Sequence, residues 1–530
     1  MNARLNSTLI VTLLIFCCAM AQAQNPMPSI GSFSPPAVYA GGPSFKLTVK
    51  GTGFISSTVI YWTFEAPLTT TFISGTEVTA IVPAAYITNP TTTNIYAYNP
   101  PPGGGESQSI AYSVVALDPA VSSLAPTAVV AGSPATTLTI NGSNFMDGAA
   151  VLFDNEKAPT TYVNSGELQV QIPKSQLTKP KIVQVAVQNP GPGGLSPILD
   201  FNVSYPAQVR TFNIPANDLV WDSKAQLIYA SLPSSYGSNG NSIAVINPLS
   251  GKITGYHFAG SEPTQLALSS DSSYLYVGLN GNGSVQRMIL PSFALDINVS
   301  LGTNAFGELN TASALQVSPA DPHTFAVGVG SDNFGGPLEF FTDTTLLPNA
   351  ITNPTVNSIQ FANSSTLYGY DGSTLIEVAV NSSGGTLTTQ WNDALSSNGG
   401  IVYDDGLIYD NSGQVFNPGT GELVGSYDVG GGCCGPSNDL LPESANDATF
   451  VVGITPFFNS FGITSYNLSQ FTPEAIIDLS QFNGSITPIF ISWGAEGLAF
   501  VINANQCCGN PEYQTILVQS LMMKSKETAK

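Results

Sequence analysis

Thiols are among the scarcest reactive groups in this chain, and their placement is unusual. Of six cysteines, two fall in an apolar N-terminal stretch and four form adjacent pairs: Cys433-Cys434 in Gly-Gly-Cys-Cys-Gly-Pro, and Cys507-Cys508 in Gln-Cys-Cys-Gly-Asn. Neither pair has C-x-x-C spacing or a neighbouring histidine, so zinc binding and dithiol redox catalysis are both poorly served. In an exported chain an even number of thiols points to disulfides, either a small ring between neighbours or a clip from one pair to the other. The long stretch between the pairs favours the ring, because bridged Cα atoms lie within about 7 Å.

The rest of the catalytic inventory is thin. The two histidines, His257 and His323, stand near no cysteine or activated serine. The sequence contains no G-x-S-x-G elbow, no H-E-x-x-H and no P-loop. On these grounds no catalytic residue, metal ligand or cofactor is assigned. Carboxylates facing one another across a channel could still do acid/base or glycosidic work, but spacing alone does not place them. A recurring series, Asp222, Asp271, Asp321, Asp404 and Asp447, raises the question of calcium. Each stands at a turn entering a strand, where aspartate accepts hydrogen bonds from its own backbone. The denser acidic spots, Asp404-Asp405 and Asp147 with Asp154, match no calcium loop.

Those aspartates belong to a repeated turn-and-strand unit, as in Asp222-Ser-Lys-Ala-Gln-Leu227-Ile-Tyr229 and Asp271-Ser-Ser-Tyr-Leu275-Tyr276. Anchored on Leu227, Leu275, Phe325, Leu367, Leu407, Phe450 and Leu498, its spacings are 48, 50, 42, 40, 43 and 48. That is the period of a four-stranded propeller blade, and seven anchors predict a seven-bladed β-propeller over residues 206–521. The last blade offers three strands before the chain runs out. An unpaired edge there would invite aggregation, so Val209 to Ile214 is expected to supply the missing outer strand and close the ring.

In such a ring the longer loops emerge on one face. Here they carry Tyr236, Phe334, Phe457, Phe458, Phe461 and Tyr513 among Asn, Ser and Gly, and both cysteine pairs fall on the same face. Exposed rings in polar loops suit a sugar or a protein partner; the alternative is that they pack down onto the blades.

Residues 24–205 contain a duplication at offsets of 91 and 90. Gly51-Thr-Gly-Phe54 matches Gly142-Ser-Asn-Phe145, and Tyr98-Asn99-Pro100 matches Gln188-Asn189-Pro190, each opening a Pro/Gly run. Alternating strands between Gly, Pro and Asn turns indicate two small β-sandwiches, at residues 24–116 and 117–205. The Pro starts (Pro35, Pro126), the G-x-x-F turn and the closing N-P-x-P-G-G run resemble the IPT/TIG family of immunoglobulin-like domains, which implies a spacer or binding module without catalytic residues. The register Asp271-Ser-Ser-Tyr-Leu275-Tyr-Val277 is similar to that of YVTN-type surface-layer propellers.

Residues 1–23 read as a signal peptide, with Arg4, an apolar run from Leu9 to Met20 and Ala21-Gln22-Ala23 as the cleavage site. The apolar run is too short to span a bilayer. Residues 522–530 read as a flexible tail. The formal net charge is −21, and removing Arg4 makes it −22, which disfavours nucleic acid and anionic lipid. The expectation is therefore an all-β protein: two Ig-like β-sandwiches followed by a seven-bladed β-propeller closed by its N-terminal strand. It would be exported to the periplasm, cell surface or medium, without a membrane span, to bind an extracellular glycan or protein. The rival is a secreted propeller hydrolase, lyase or lactonase using carboxylates at the channel mouth.

Overall fold

A computed structural model describes residues 24–63, 66–191, 194–330, 336–396, 399–429, 439–454, 461–482, 485–494, 497–504 and 512–520. The chain is all-β, with short 3-10 turns as the described helical elements, and no described helix is long and apolar enough to cross a membrane. Two compact units divide the chain, and their boundary runs through residues 127–199. The sheets themselves keep to residues 29–115, 120–204 and 207–520.

The first sandwich pairs strand Phe45–Thr52 with Ser29–Ser34 and Glu77–Val82, opposite a sheet centred on Thr91–Asn99. Its inward alternation buries Leu47, Val49, Val78, Ile95 and Tyr112. The second sandwich repeats this strand order. The duplicated motifs have a physical cause. A Cβ on Gly51 would lie 1.9 Å from the Ser29 carbonyl and 2.8 Å from the Phe54 ring; on Gly142 it would lie 2.0 Å from the Ala120 carbonyl. Glycine is required where the chain crosses the first strand under the phenylalanine. Asn99, fully buried, donates from Nδ2 to the carbonyls of Gly53 and Pro26 at 2.7 and 2.8 Å. Asn189 does the same to Asn144 and Leu117. Each asparagine thus pins its G-x-x-F turn to the chain entering the sandwich, so its buried amide is satisfied.

Beyond residue 206 the described strands form seven sheets of four or more strands. Their inner strands are Asp218–Asp222, Pro263–Leu268, Thr311–Val317, Ser358–Asn363, Ile401–Asp404, Asp439–Glu443 and Ser485–Trp493. Each inner strand lies beside the next, and the last returns to the first, giving a propeller-like ring. Every neighbouring pair of sheets shares its own apolar cluster, for example Leu219, Ile228, Trp493 and Leu517 between the last sheet and the first. In the third sheet, Thr345–Leu346 and Ile351–Val356 share the outer position.

The last sheet takes its outer strand from the start of the ring. Ala207–Phe212 runs antiparallel to Tyr513–Ser520, with Val209 opposite Val518. This strand starts and ends two residues earlier than expected. Ile214 lies outside it because its side chain is buried between the last and first sheets.

The recurring aspartates largely serve their own turns. Asp222 Oδ1 accepts from the backbone N–H groups of Lys224 and Ala225, each at 3.0 Å, while Oδ2 accepts from the buried Tyr229 hydroxyl at 2.9 Å. Asp271 accepts from Ser269 and Ser273, with the Ser273 hydroxyl foremost in holding its carboxyl down to about 2. Asp404 departs from this pattern, accepting instead from Ser444 of the next sheet.

Candidate functional site at the mouth of the central channel

A cavity of about 420 Å³ is lined by residues of all seven inner strands or the segments just before them, and is therefore the ring's central channel. Asp218 and Asp439, each the first residue of its strand, line the channel with Gln265, Gln316, Gln360 and Asn411. Among the described lining residues these two aspartates are the ionisable ones. An adjoining cavity of about 300 Å³ shares Asp218 and Gln265 and adds Asn217, Ser235, Thr487 and Tyr513.

The geometry explains why polar residues occupy this ring of positions. Asp218 Oδ1 accepts from its neighbour Leu219 N–H at 2.8 Å, and Oδ2 accepts from Leu266 N–H of the next sheet at 2.7 Å. Ser313 donates to the Val356 carbonyl at 3.2 Å, and Ser358 accepts from Ile401 N–H at 3.0 Å. The Asp218 and Ser358 side chains join one inner strand to the next where no ladder hydrogen bond can, while Ser313 ties its inner strand to the end of the same sheet's outer segment, Ile351–Val356. Asp439 is 6% exposed, and its Oδ1 accepts from Leu440 N–H at 2.9 Å. Burial pushes the carboxyls of both aspartates up to about 7, with the backbone N–H donors opposing it. Burial thus favours the protonated form of each within a wall of neutral amides and hydroxyls.

The residues expected to form a recognition face divide sharply. Tyr513 opens the final strand, is 36% exposed and lines the smaller cavity. Tyr236 lies half-buried in the 3-10 turn Ser234–Asn239, packed on the apolar cluster between the last and first sheets, with the Tyr256 ring 6.4 Å away. Phe461 must be withdrawn from the face: it begins a strand, is 3% exposed and packs 5.9 Å from Phe500. Phe334, Phe457, Phe458, Cys433, Cys434, Cys507 and Cys508 lie outside the described residues, as do the leader and the tail.

Two features escaped the sequence reading. The tripeptide Asn-Asp-Leu occurs at Asn217-Asp218-Leu219 and again at Asn438-Asp439-Leu440, and this repetition is the signal that could have found both channel aspartates. The other is Arg287, 5% exposed, which joins the second sheet to the third. Its guanidinium pairs with Asp296 and Asp343, each at 2.6 Å, and lies 4.5 Å from the centre of the Tyr274 ring. Nδ1 of His323 lies 2.9 Å from Asp343. Burial opposes the charge on Arg287, but hydrogen bonds to Tyr276, Asp343 and Asp296 outweigh it and keep the group protonated. The partners lie in three separate turns and strands, so no local motif marks them. Among the described residues no group of three or more His, Cys, Asp or Glu side chains is arranged to hold a metal ion.

Residues 119–203 match the IPT/TIG domain model. No curated protein sequence matches the chain. Similar solved structures include U3-55K, at 12% identity over 59% of this chain and 98% of that one, with a TM-score of 0.44. The β-propeller domain of Cps50 (Swd1) from Myceliophteria thermophila has 11% identity over 59% of this chain and 99% of its own, at 0.41. An auxiliary nutrient binding protein from Bacteroides thetaiotaomicron has 12% identity over 76% and 98%, at 0.36.

Proposed function

We propose that this is an exported, non-enzymatic binding protein. In this reading a signal peptide (1–23) precedes two IPT/TIG domains (24–116 and 117–205) acting as a spacer. A seven-bladed, YVTN-type propeller (206–521) then presents its channel mouth to an extracellular glycan. The observation that carries the reading is the pair of adjoining cavities at the channel, where Asp218 and Gln265 are shared and Tyr513 offers an exposed ring. Amides, hydroxyls and a carboxyl that is neutral for part of the time match the hydroxyls of a sugar, and an aromatic edge matches its apolar face. Both oxygens of Asp218 already serve as backbone acceptors, a structural duty that suits a fixed wall.

The test is calorimetry and a glycan array on the full chain, with Gln265→Ala and Tyr513→Ala as variants. Each substitution is expected to weaken binding of any neutral glycan captured at this mouth by about tenfold, the equivalent of about 1.4 kcal/mol. Unchanged binding in both variants, or no glycan bound by the wild type, would refute the proposal.

One observation favours the enzymatic rival, in which two carboxyls lining one cavity titrate near neutrality and could act as acid and base. Under that reading Asp439→Asn abolishes turnover of a polysaccharide that the wild type cleaves. Under the binding reading the wild type releases no reducing ends.

A further inference from the structure

The first sandwich carries a cavity of about 380 Å³, lined by Trp62, Thr63, Tyr86, the run Thr91 to Thr93 and Asn94. Its composition is that of a sugar site: hydroxyl-bearing and amide residues beside two aromatic rings. Trp62 is buried and forms the floor, while Tyr86 is 39% exposed, its ring 6.4 Å from Trp62 and inclined at 25°. The tyrosine thus presents a ring over an apolar support, fixed by packing.

Thr93 is the telling residue. It is 6% exposed, faces the core side of its strand next to Ile95, and its hydroxyl finds no hydrogen-bond partner among the described residues. A buried hydroxyl left unpaired is a cost that a valine of the same shape would avoid. The duplicate sandwich supplies that comparison within the molecule. Its strand order is identical, and with Trp62 opposite Ile95 and Phe153 opposite Val185, Thr93 corresponds to Val183, which is buried at 4%. By the same register Tyr86 corresponds to Gln176, and Thr91 and Thr92 to Lys181 and Ile182. The scaffold is therefore built without the three threonines or the exposed ring. These belong to the first copy alone, and the scaffold does not account for them.

We infer that this cavity of the first sandwich is a second ligand site, taking a neutral sugar residue that stacks on Tyr86 and hydrogen-bonds Thr93. A hexose ring offers an apolar face to Tyr86 and hydroxyls that can both donate and accept, as Thr93 Oγ1 requires. The sandwich site does not depend on the propeller reading.

The test uses a neutral-glycan array and then calorimetry on the full chain, comparing wild type, Tyr86→Ala, Thr93→Val and Tyr513→Ala. At least one neutral glycan is expected to lose about tenfold in affinity with Tyr86→Ala and with Thr93→Val, and to be retained by Tyr513→Ala. Thr93→Val, which installs the residue of the second copy, is expected to leave the melting temperature unchanged or higher while binding falls. That combination separates a ligand contact from a folding role. The proposal is overturned if no neutral glycan depends on Tyr86 and Thr93, including the case where the wild type binds none and the pocket serves a protein instead. It is also overturned if Thr93→Val lowers the melting temperature without altering affinity.

Discussion

Taking Asp439 out of water penalises its carboxylate form, and the Leu440 N–H only partly offsets that, so its carboxyl moves from 3.8 to about 7. The folded state therefore holds a proton that the unfolded chain has released across that interval. Stability is greatest below about pH 4, falls as pH rises toward 7, and levels off above it; for this group alone the loss is roughly 4 kcal/mol at most. Asp439→Asn keeps an oxygen for Leu440 and carries no charge. The variant is expected to unfold at a higher temperature than wild type at pH 8, with the difference shrinking at pH 4. Scanning calorimetry at both values checks it, and an equal melting temperature at pH 8 would mean the group keeps its charge at no cost. Asp218 is a poorer place for the experiment, because both of its oxygens accept backbone N–H groups and asparagine would lose one of them.

At the scale of elements, ring closure depends on six residues far from the sheet they complete. Val209 faces Val518 and packs against the cluster holding Phe500, Ile516 and Val518. A charge placed there would have to be buried or would pull the strand away, leaving Tyr513–Ser520 as an open edge. Val209→Asp is expected to lower unfolding free energy by about 2–4 kcal/mol and to raise aggregation during refolding. Denaturant titration and light scattering read both effects. If the midpoint and the scattering stay at wild-type values, the strand does not hold the ring closed. Expecting this strand from sequence needed only the count of strands in the final blade. Its register did not follow from that count, because Ile214 could end the strand or fill the gap between sheets, and the burial available between them decided it.

For the whole molecule, the formal charge of −21 sets which partners can approach. A neutral glycan gains nothing from that field, whereas a basic protein would be drawn by it and a polyanion repelled. Affinity for a neutral glycan is therefore expected to change less than about twofold between low salt and about 0.5 M NaCl. A steep fall with salt in the same calorimetric series would point to a cationic protein partner.

Periodicity alone determined the all-β class, the duplicated sandwiches and the recurring four-stranded unit, because each follows from residues near one another in the chain. The G-x-x-F turn and its asparagine were legible as motifs before Ser29, Gly53 and Pro26 showed what they hold in place. The candidate site was not legible in this way. Asp218 and Asp439 share a channel across more than two hundred intervening residues, Phe461 is removed from the surface by Phe500, and Thr93 is distinguished from Val183 only by what surrounds it. Burial and the convergence of distant strands are properties of the closed ring and the packed sandwich, and they set which polar groups lose water and which stay within reach of a ligand.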